Sequence, residues 1–378
     1  MIKEQQLIYL DNNSTTRLDG DVLNAMMPFL TGQYGNPASQ HHFGLELKNI
    51  IEQARERIAT YIGASSAEVV FTSGATEGIN IALKGLAFEA AEGRNKIVTV
   101  ATEHRAVLDT CAYLEQIGFE IVFIPVDNSG LVSYADAESI IDEQTLAVSV
   151  MLVNNETGVI QPVAELAQIA HGHGAIMITD ATQAMGKISV DVGQLGVDVL
   201  IFSAHKFHGP KGIGGLYLKR GLKLSQVVHG GGHERGLRGG TSNVPGIAGM
   251  AKALEMAAIN LEQNSAQIRH LRDTLELQLL ALPGATLNGH PDLRVPNVAN
   301  ISFDKIDANT FISEMTELAI SNGSACTSAV LEPSHVLSAM GITNESAFGA
   351  IRFSLSKYTT LEEVNQVSDM IKRYIERT

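Results

Sequence analysis

Apolar and polar positions along this chain change period in a regular way. Short apolar runs at 96–100, 146–153, 175–179 and 199–202 predict buried strands. Stretches 43–62, 105–116 and 163–173 carry apolar residues at helical spacing instead. Residues 68–78 read as strand, glycine turn and helix start. Strands alternating with amphipathic helices predict an α/β architecture, a mostly parallel sheet with right-handed crossovers. Each apolar run closes on a small polar group, so that His104, Asn155, Asp180 and Lys206 all fall just past a strand. Open sheets of this kind bind ligands at that edge.

The pattern shifts towards the C-terminus. Helices are predicted at 245–260 and 265–282, followed by a strand at 297–303, a helix at 308–318, strands at 318–321 and 350–355, and a helix at 361–377. This mixture predicts a smaller α+β domain. The segment 6–11, which ends in the polar turn Asp11-Asn-Asn-Ser-Thr-Thr16, is expected to pack against it. The 378 residues leave room for two domains: 15–255, and 1–14 with 256–378.

Composition narrows the class. Lys and Arg number 27 against 41 Asp and Glu, a formal net charge of -14, which argues against general nucleic-acid or membrane-surface binding. Thirty-five glycines and 5% aromatic residues fit many tight strand–helix turns. The first six residues have no apolar signal core, and no stretch is long enough to span a bilayer. Two cysteines make no disulfide framework, so a reducing, cytoplasmic location is expected. The pairs His41/His42, His171/His173 and His205/His208 lack a third ligand, and no metal is expected.

The chemistry is carried by strand ends. Lys206 sits where partial desolvation lowers an ammonium pKa, as a Schiff-base lysine requires. Asp180 ends a neighbouring apolar run, and a carboxylate with such a lysine is the pair a pyridoxal phosphate site needs. Residues 72–76 offer hydroxyls and amides at a helix start, an anion site, although the Gly-Lys-Ser/Thr ending of a P-loop is missing. The loop 230–241 is glycine-rich and basic but fails as a nucleotide fingerprint. Arg235 and Arg238 within it are read as a solvated loop face or as a basic loop beside a phosphate and carboxylate site. Cys111 lies on the apolar side of its helix and reads as core. Cys326 lies among small polar residues in 321–333 and reads as an exposed nucleophilic thiol, with an unperturbed pKa of roughly 8.5.

Nine motifs in order give these residues a common context: 9–16, 34–39, 71–77, Thr102-Glu-His104, 154–158, Asp180-Ala-Thr-Gln183, Ser203-Ala-His-Lys206, 323–328 and 351–354. Over essentially its whole length the chain resembles cysteine desulfurases of the NifS/IscS type, within the class V aminotransferase family. The resemblance implies the fold type I of pyridoxal phosphate enzymes, with a seven-stranded sheet. It also implies that L-cysteine is converted to L-alanine, leaving a persulfide on Cys326. By the same resemblance Lys206 carries the cofactor as a Schiff base and takes up the substrate α-proton, and Asp180 pairs with the pyridine nitrogen. Gln183 bonds the phenolic oxygen and His104 stacks on the ring. Ala75, Thr76, Ser203 and His205 hold the phosphate, with Thr241 reaching it from the partner of a homodimer. Asn155 and Arg352 bind the substrate carboxylate. A protein acceptor then takes the sulfur, for iron–sulfur assembly, tRNA thiolation or DNA phosphorothioation. The thiol loop is similar to the longer, mobile kind.

The chain departs from the family at Gly78-Ile79, Gly239 and Ser356-Lys357, and it stops soon after the last helix, without a longer tail. A related selenocysteine lyase or aminotransferase is the alternative enzyme. A sulfur-relay scaffold is the alternative of another class.

Overall fold

The computed structural model describes residues 7–323 and 332–377. The chain enters through a two-residue strand, β1 (Ile8–Tyr9). It then builds a central sheet from β2 (Val69–Thr72), β3 (Lys96–Val100), β4 (Glu120–Ile124), β5 (Thr145–Ser149), β6 (Ile176–Asp180), β7 (Val199–Ser203) and β8 (Gly214–Leu218). The spatial order is β2-β8-β7-β6-β5-β3-β4. β8 is antiparallel to both neighbours, and the remaining ladders are parallel.

The continuous apolar runs have a physical reason. Alternate residues of β7 feed opposite faces: Val199 and Ile201 join one buried cluster, Leu200 and Phe202 another. A strand covered by helices on both sides has no solvent face to mark with polar residues. Glycine lets the layers close. A Cβ on Gly78, one of the departures from the family pattern, would lie 2.9 Å from Ile201, so the helix Ala75–Phe88 sits tightly on β7.

A third buried cluster gathers β10 (Val298–Phe303), β12 (Ala350–Ser354) and the helices Leu261–Leu280 and Leu361–Arg377. β10 lies between β12 and β9 (Ala285–Leu287), antiparallel to both. The last helix buries Val364, Val367, Ile371 and Ile375, one face at three- and four-residue spacing, against the helix Leu261–Leu280. As expected, the N-terminal segment runs along this region: β1 pairs in parallel with β11 (Leu318–Ala319), and Ile8 and Leu10 are buried in its cluster.

Some elements differ from expectation. The run 146–153 is not one strand. Its ladder stops at Ser149, where the Met151 amide turns to the buried Glu103 carboxylate, although Val150 and Leu152 still bond β6 carbonyls. The helix expected at 308–318 ends at Glu314, because Leu318 pairs with Ile8. β4 and the helix Gly20–Thr31 were not foreseen. β4 is an edge strand with little burial, and the helix leaves Leu23, Met27 and Leu30 exposed.

Candidate active site

The strand ends converge on a cavity of about 770 Å³ at the carboxyl edge of the sheet. His104, Asn155, Asp180 and Lys206 all line it, together with Ala75, Thr76, Gln183, Ser203, His205 and Arg352. Thr241 is exposed and is not among the lining residues of this single chain. Cys326 lies outside the described residues.

Lys206 directs Nζ to the main-chain carbonyls of Asn13 (2.6 Å) and Ser14 (2.7 Å). Burial, with Arg352 as a neighbouring cation, lowers its pKa to about 8, while Asp180 and Asp11 oppose the shift. The amine is thus partly unprotonated near neutrality, as a nucleophile for an aldehyde must be. Asp180, buried at the end of β6, accepts the Thr182 amide on Oδ1 at 2.8 Å.

His104 caps the helix Arg105–Gln116, its Nδ1 accepting from the Ala106 amide at 3.1 Å. That bond leaves the proton on Nε2. Although open to the cavity, the ring is sunk far enough for desolvation to lower its pKa. His205 is held near Thr15 Oγ1 at 3.1 Å, and burial beside Lys206 and Lys211 lowers its pKa to about 4.

The anion cradle lies at the start of the helix Ala75–Phe88. Its cap, Gly74, makes no side-chain bond, so the first amides stay open. β8 presses on this turn: a Cβ on Gly214 would lie 2.7 Å from Gly74 Cα and 2.5 Å from Phe202 O. Glu77 would repel an anion here, but it accepts the Ser73 amide (2.6 Å) and Arg238 Nε (2.8 Å). Arg238 therefore reaches the rim of the cradle by way of Glu77. Arg235 does not, since it bonds the carbonyls of Ser66, Ala67 and Val69. The loop is held by Glu234, which pairs with buried Arg55 at 2.7 Å and accepts the Phe71 amide. Gly239 packs on the same loop, where a Cβ would lie 2.5 Å from Gly230 O.

Arg352, buried on β12, points Nη2 at Asp11 Oδ1 and Ser14 Oγ, both at 2.8 Å, and Nη1 at Asn155 O at 3.0 Å. Lys357, at another departure from the family, pairs with Asp19 at 2.6 Å. Sequence reasoning left Asn13, Glu156 and His335 unassigned, yet all three line the cavity. Asn13 meets Lys206 through its main-chain carbonyl, a contact that no side-chain pattern reveals.

The aminotransferase class-V family profile matches residues 8–367. The chain belongs to that family. As a class-V member it is similar to the cysteine desulfurase IscS of Dictyoglomus turgidum, 44% identical over 98% of this chain and 95% of that protein. It is also similar to a solved NifS-like protein, at 40% identity and a TM-score of 0.93, covering 98% of this chain and 100% of that one. A third likeness is to SspA, solved in complex with cysteine, at 35% identity and a TM-score of 0.83 over 93% of this chain and 99% of that one. The cofactor of this class-V enzyme is pyridoxal 5′-phosphate. The residues present fit it. Asn155 Oδ1 and Thr182 Oγ1 on the cavity wall are buried without partners among the described residues. Beside them stand an acid, an amine and an uncapped helix start.

Proposed function

We propose that the protein is a cysteine desulfurase, which takes sulfur from L-cysteine, releases L-alanine and holds the sulfur as a persulfide on Cys326. One observation carries this reading: Lys206, Asp180, His104 and Arg352 meet at one cavity, in a chain 44% identical to a cysteine desulfurase. The bound cysteine of SspA supports the substrate class.

Bound in the cavity, pyridoxal phosphate would supply an electron sink for the bonds at the substrate's α- and β-carbons. Lys206 Nζ would hold the cofactor, and its free amine would be the nearest base for the substrate α-proton. Asp180, with Oδ1 committed to Thr182, offers its other oxygen to the pyridine nitrogen. His104 would cover the ring, and Gln183 would donate to the ring oxygen. Ala75, Thr76, Ser203 and His205 would hold the phosphate, and Thr241 would join them from a second copy in a homodimer. Arg352 grips the substrate carboxylate, with Asn155 beside it. The Cys326 thiolate attacks the substrate Sγ. The Cβ–Sγ bond breaks, its electron pair ends with protons on alanine, and the sulfur stays on Cys326.

A protein acceptor then collects the sulfur, and iron–sulfur assembly is the use we favour, given the IscS relative. No helix among the described residues is long and apolar enough to cross a membrane, and we assign a cytoplasmic location. We draw the domains at 15–255, and at 1–14 with 256–378.

Borohydride reduction of the holoenzyme, followed by peptide mapping, tests the site. The pyridoxyl group is expected on Lys206, and another lysine would overturn the assignment. Cys326→Ala should keep the yellow cofactor band and lose sulfide release from L-cysteine. Unchanged turnover would favour a lyase that does not need this thiol.

A further inference from the structure

Lys187 is not among the residues lining the cavity, yet a polar network joins it to Lys206. It follows Gln183 by four residues in the turn after β6. Its Nζ lies 2.6 Å from Gln183 Oε1 and 2.9 Å from Asn13 Oδ1. The rest of each amide is also committed. Gln183 Nε2 donates to the Asn13 carbonyl at 2.9 Å. Asn13 Nδ2 donates to the Asn155 carbonyl at 3.0 Å, and Asn13 Oδ1 also accepts from Asn297 Nδ2 at 3.0 Å. Main-chain carbonyls only accept, so the nitrogen ends face them and both oxygen ends turn to Lys187. The Asn13 carbonyl that Gln183 reaches is the one that also receives Lys206 Nζ.

Lys187 is half-buried as a residue, and desolvation of its amino group, with Lys206 and Arg352 as neighbouring cations, pushes its pKa well below the usual range. Two side-chain carbonyl oxygens, Gln183 Oε1 and Asn13 Oδ1, take N–H bonds from it.

We propose that Lys187 is a positioning residue: it holds the Gln183 and Asn13 side-chain oxygens away from the cavity, so that Gln183 presents its Nε2 donor to the cofactor. The inference rests on the proposed contact between Gln183 and the cofactor's ring oxygen. A donor there stabilises the ionised oxygen and lowers the pH at which the lysine-bound cofactor loses its shared proton. Without Lys187 the Gln183 oxygen has no donor among the described residues, the amide is free to turn, and that pH should rise.

The test is a pH titration of the visible absorption band in five holoenzymes: wild type, Gln183→Leu, Lys187→Met, Lys187→Gln and the double variant Gln183→Leu/Lys187→Met. Cofactor content and Tm are measured alongside. Gln183→Leu and Lys187→Met should each raise the midpoint by about one pH unit, and the double variant should move no further than either alone. Lys187→Gln keeps an N–H donor and should restore most of the wild-type midpoint. If Gln183→Leu shifts the band and Lys187→Met does not, the inference is wrong while the Gln183 contact stands. Equal shifts in Lys187→Met and Lys187→Gln would mean that charge acts there rather than amide orientation, which also overturns it. No shift in Gln183→Leu would remove the cofactor contact and the inference together. Should Lys187→Met not fold, Lys187→Ala, which leaves space for water, takes its place with the same expectation.

Discussion

Arg352 holds a carboxylate oxygen of Asp11 2.8 Å from its Nη2, joining β12 to the turn that follows β1. The same Nη2 bonds Ser14, whose carbonyl receives Lys206. The N-terminal turn therefore aligns the proposed carboxylate clamp and the lysine together. Arg352→Lys keeps the charge but loses the planar fork. A charge-assisted bond contributes about 1.5–3 kcal/mol, so KM for L-cysteine should rise roughly 10- to 100-fold. Cofactor trapping on Lys206 should be unchanged. Steady-state kinetics check this, and an unaltered KM would remove Arg352 from substrate binding.

The lowered pKa of Lys206 sets a pH dependence for cofactor capture. Only the neutral amine attacks an aldehyde, so the rate at which apoprotein takes up pyridoxal phosphate should climb with pH and level off above about 8. Arg352 is one cause of the depression. In Arg352→Met the pKa moves back towards its ordinary value, less amine is neutral at pH 7.5, and capture should slow. Stopped-flow absorbance across pH measures both midpoints, and identical midpoints would contradict this account of the shift.

The pair Arg55–Glu234 anchors the loop that carries Arg238 to Glu77. Both side chains are nearly inaccessible, at 5% and 6% exposure, so removing Glu234 takes the close partner from a buried charge and leaves it only the half-exposed Glu52 at 3.3 Å. Glu234→Ala should cost about 3–5 kcal/mol, far more than a surface ion pair. It should also open the loop 228–240 to protease. Urea unfolding and limited proteolysis provide the readouts, and a loss below about 1 kcal/mol would place the pair among ordinary surface bridges.

Gly214 has no room for a side chain beside the Gly74 turn. Gly214→Ala forces β8 or the anion cradle to move, at about 1–3 kcal/mol. Pyridoxal phosphate should be held roughly 10-fold more weakly or worse, while pyridoxal without its phosphate should bind as before. Equal weakening of both would show a general loss of the fold rather than of the cradle.

Much of the sheet was legible because a parallel sheet buried on both faces leaves uninterrupted apolar runs, and each run ended in the polar residue that lines the cavity. β4 was missed for the opposite reason: an edge strand with exposed positions lacks that signal. Among site residues, Lys206 and Asp180 announced themselves by side-chain type at strand ends. Asn13 did not, since it meets Lys206 through a main-chain carbonyl in a turn held by Ser354 from far along the chain. The basic loop showed the limit of charge as a guide. Arg238 reaches Glu77 at the cradle, whereas Arg235, three residues away, ties down main-chain carbonyls.

The most direct test of the central claim follows one sulfur atom. Holoenzyme mixed with L-cysteine and quenched without reductant should carry the mass of one added sulfur on the peptide containing Cys326, with one alanine released for each modified subunit. Cys111, buried and with its pKa raised to about 12, should stay unmodified. Alanine formed in full with no sulfur on Cys326, or sulfur retained on Cys111, would contradict the account.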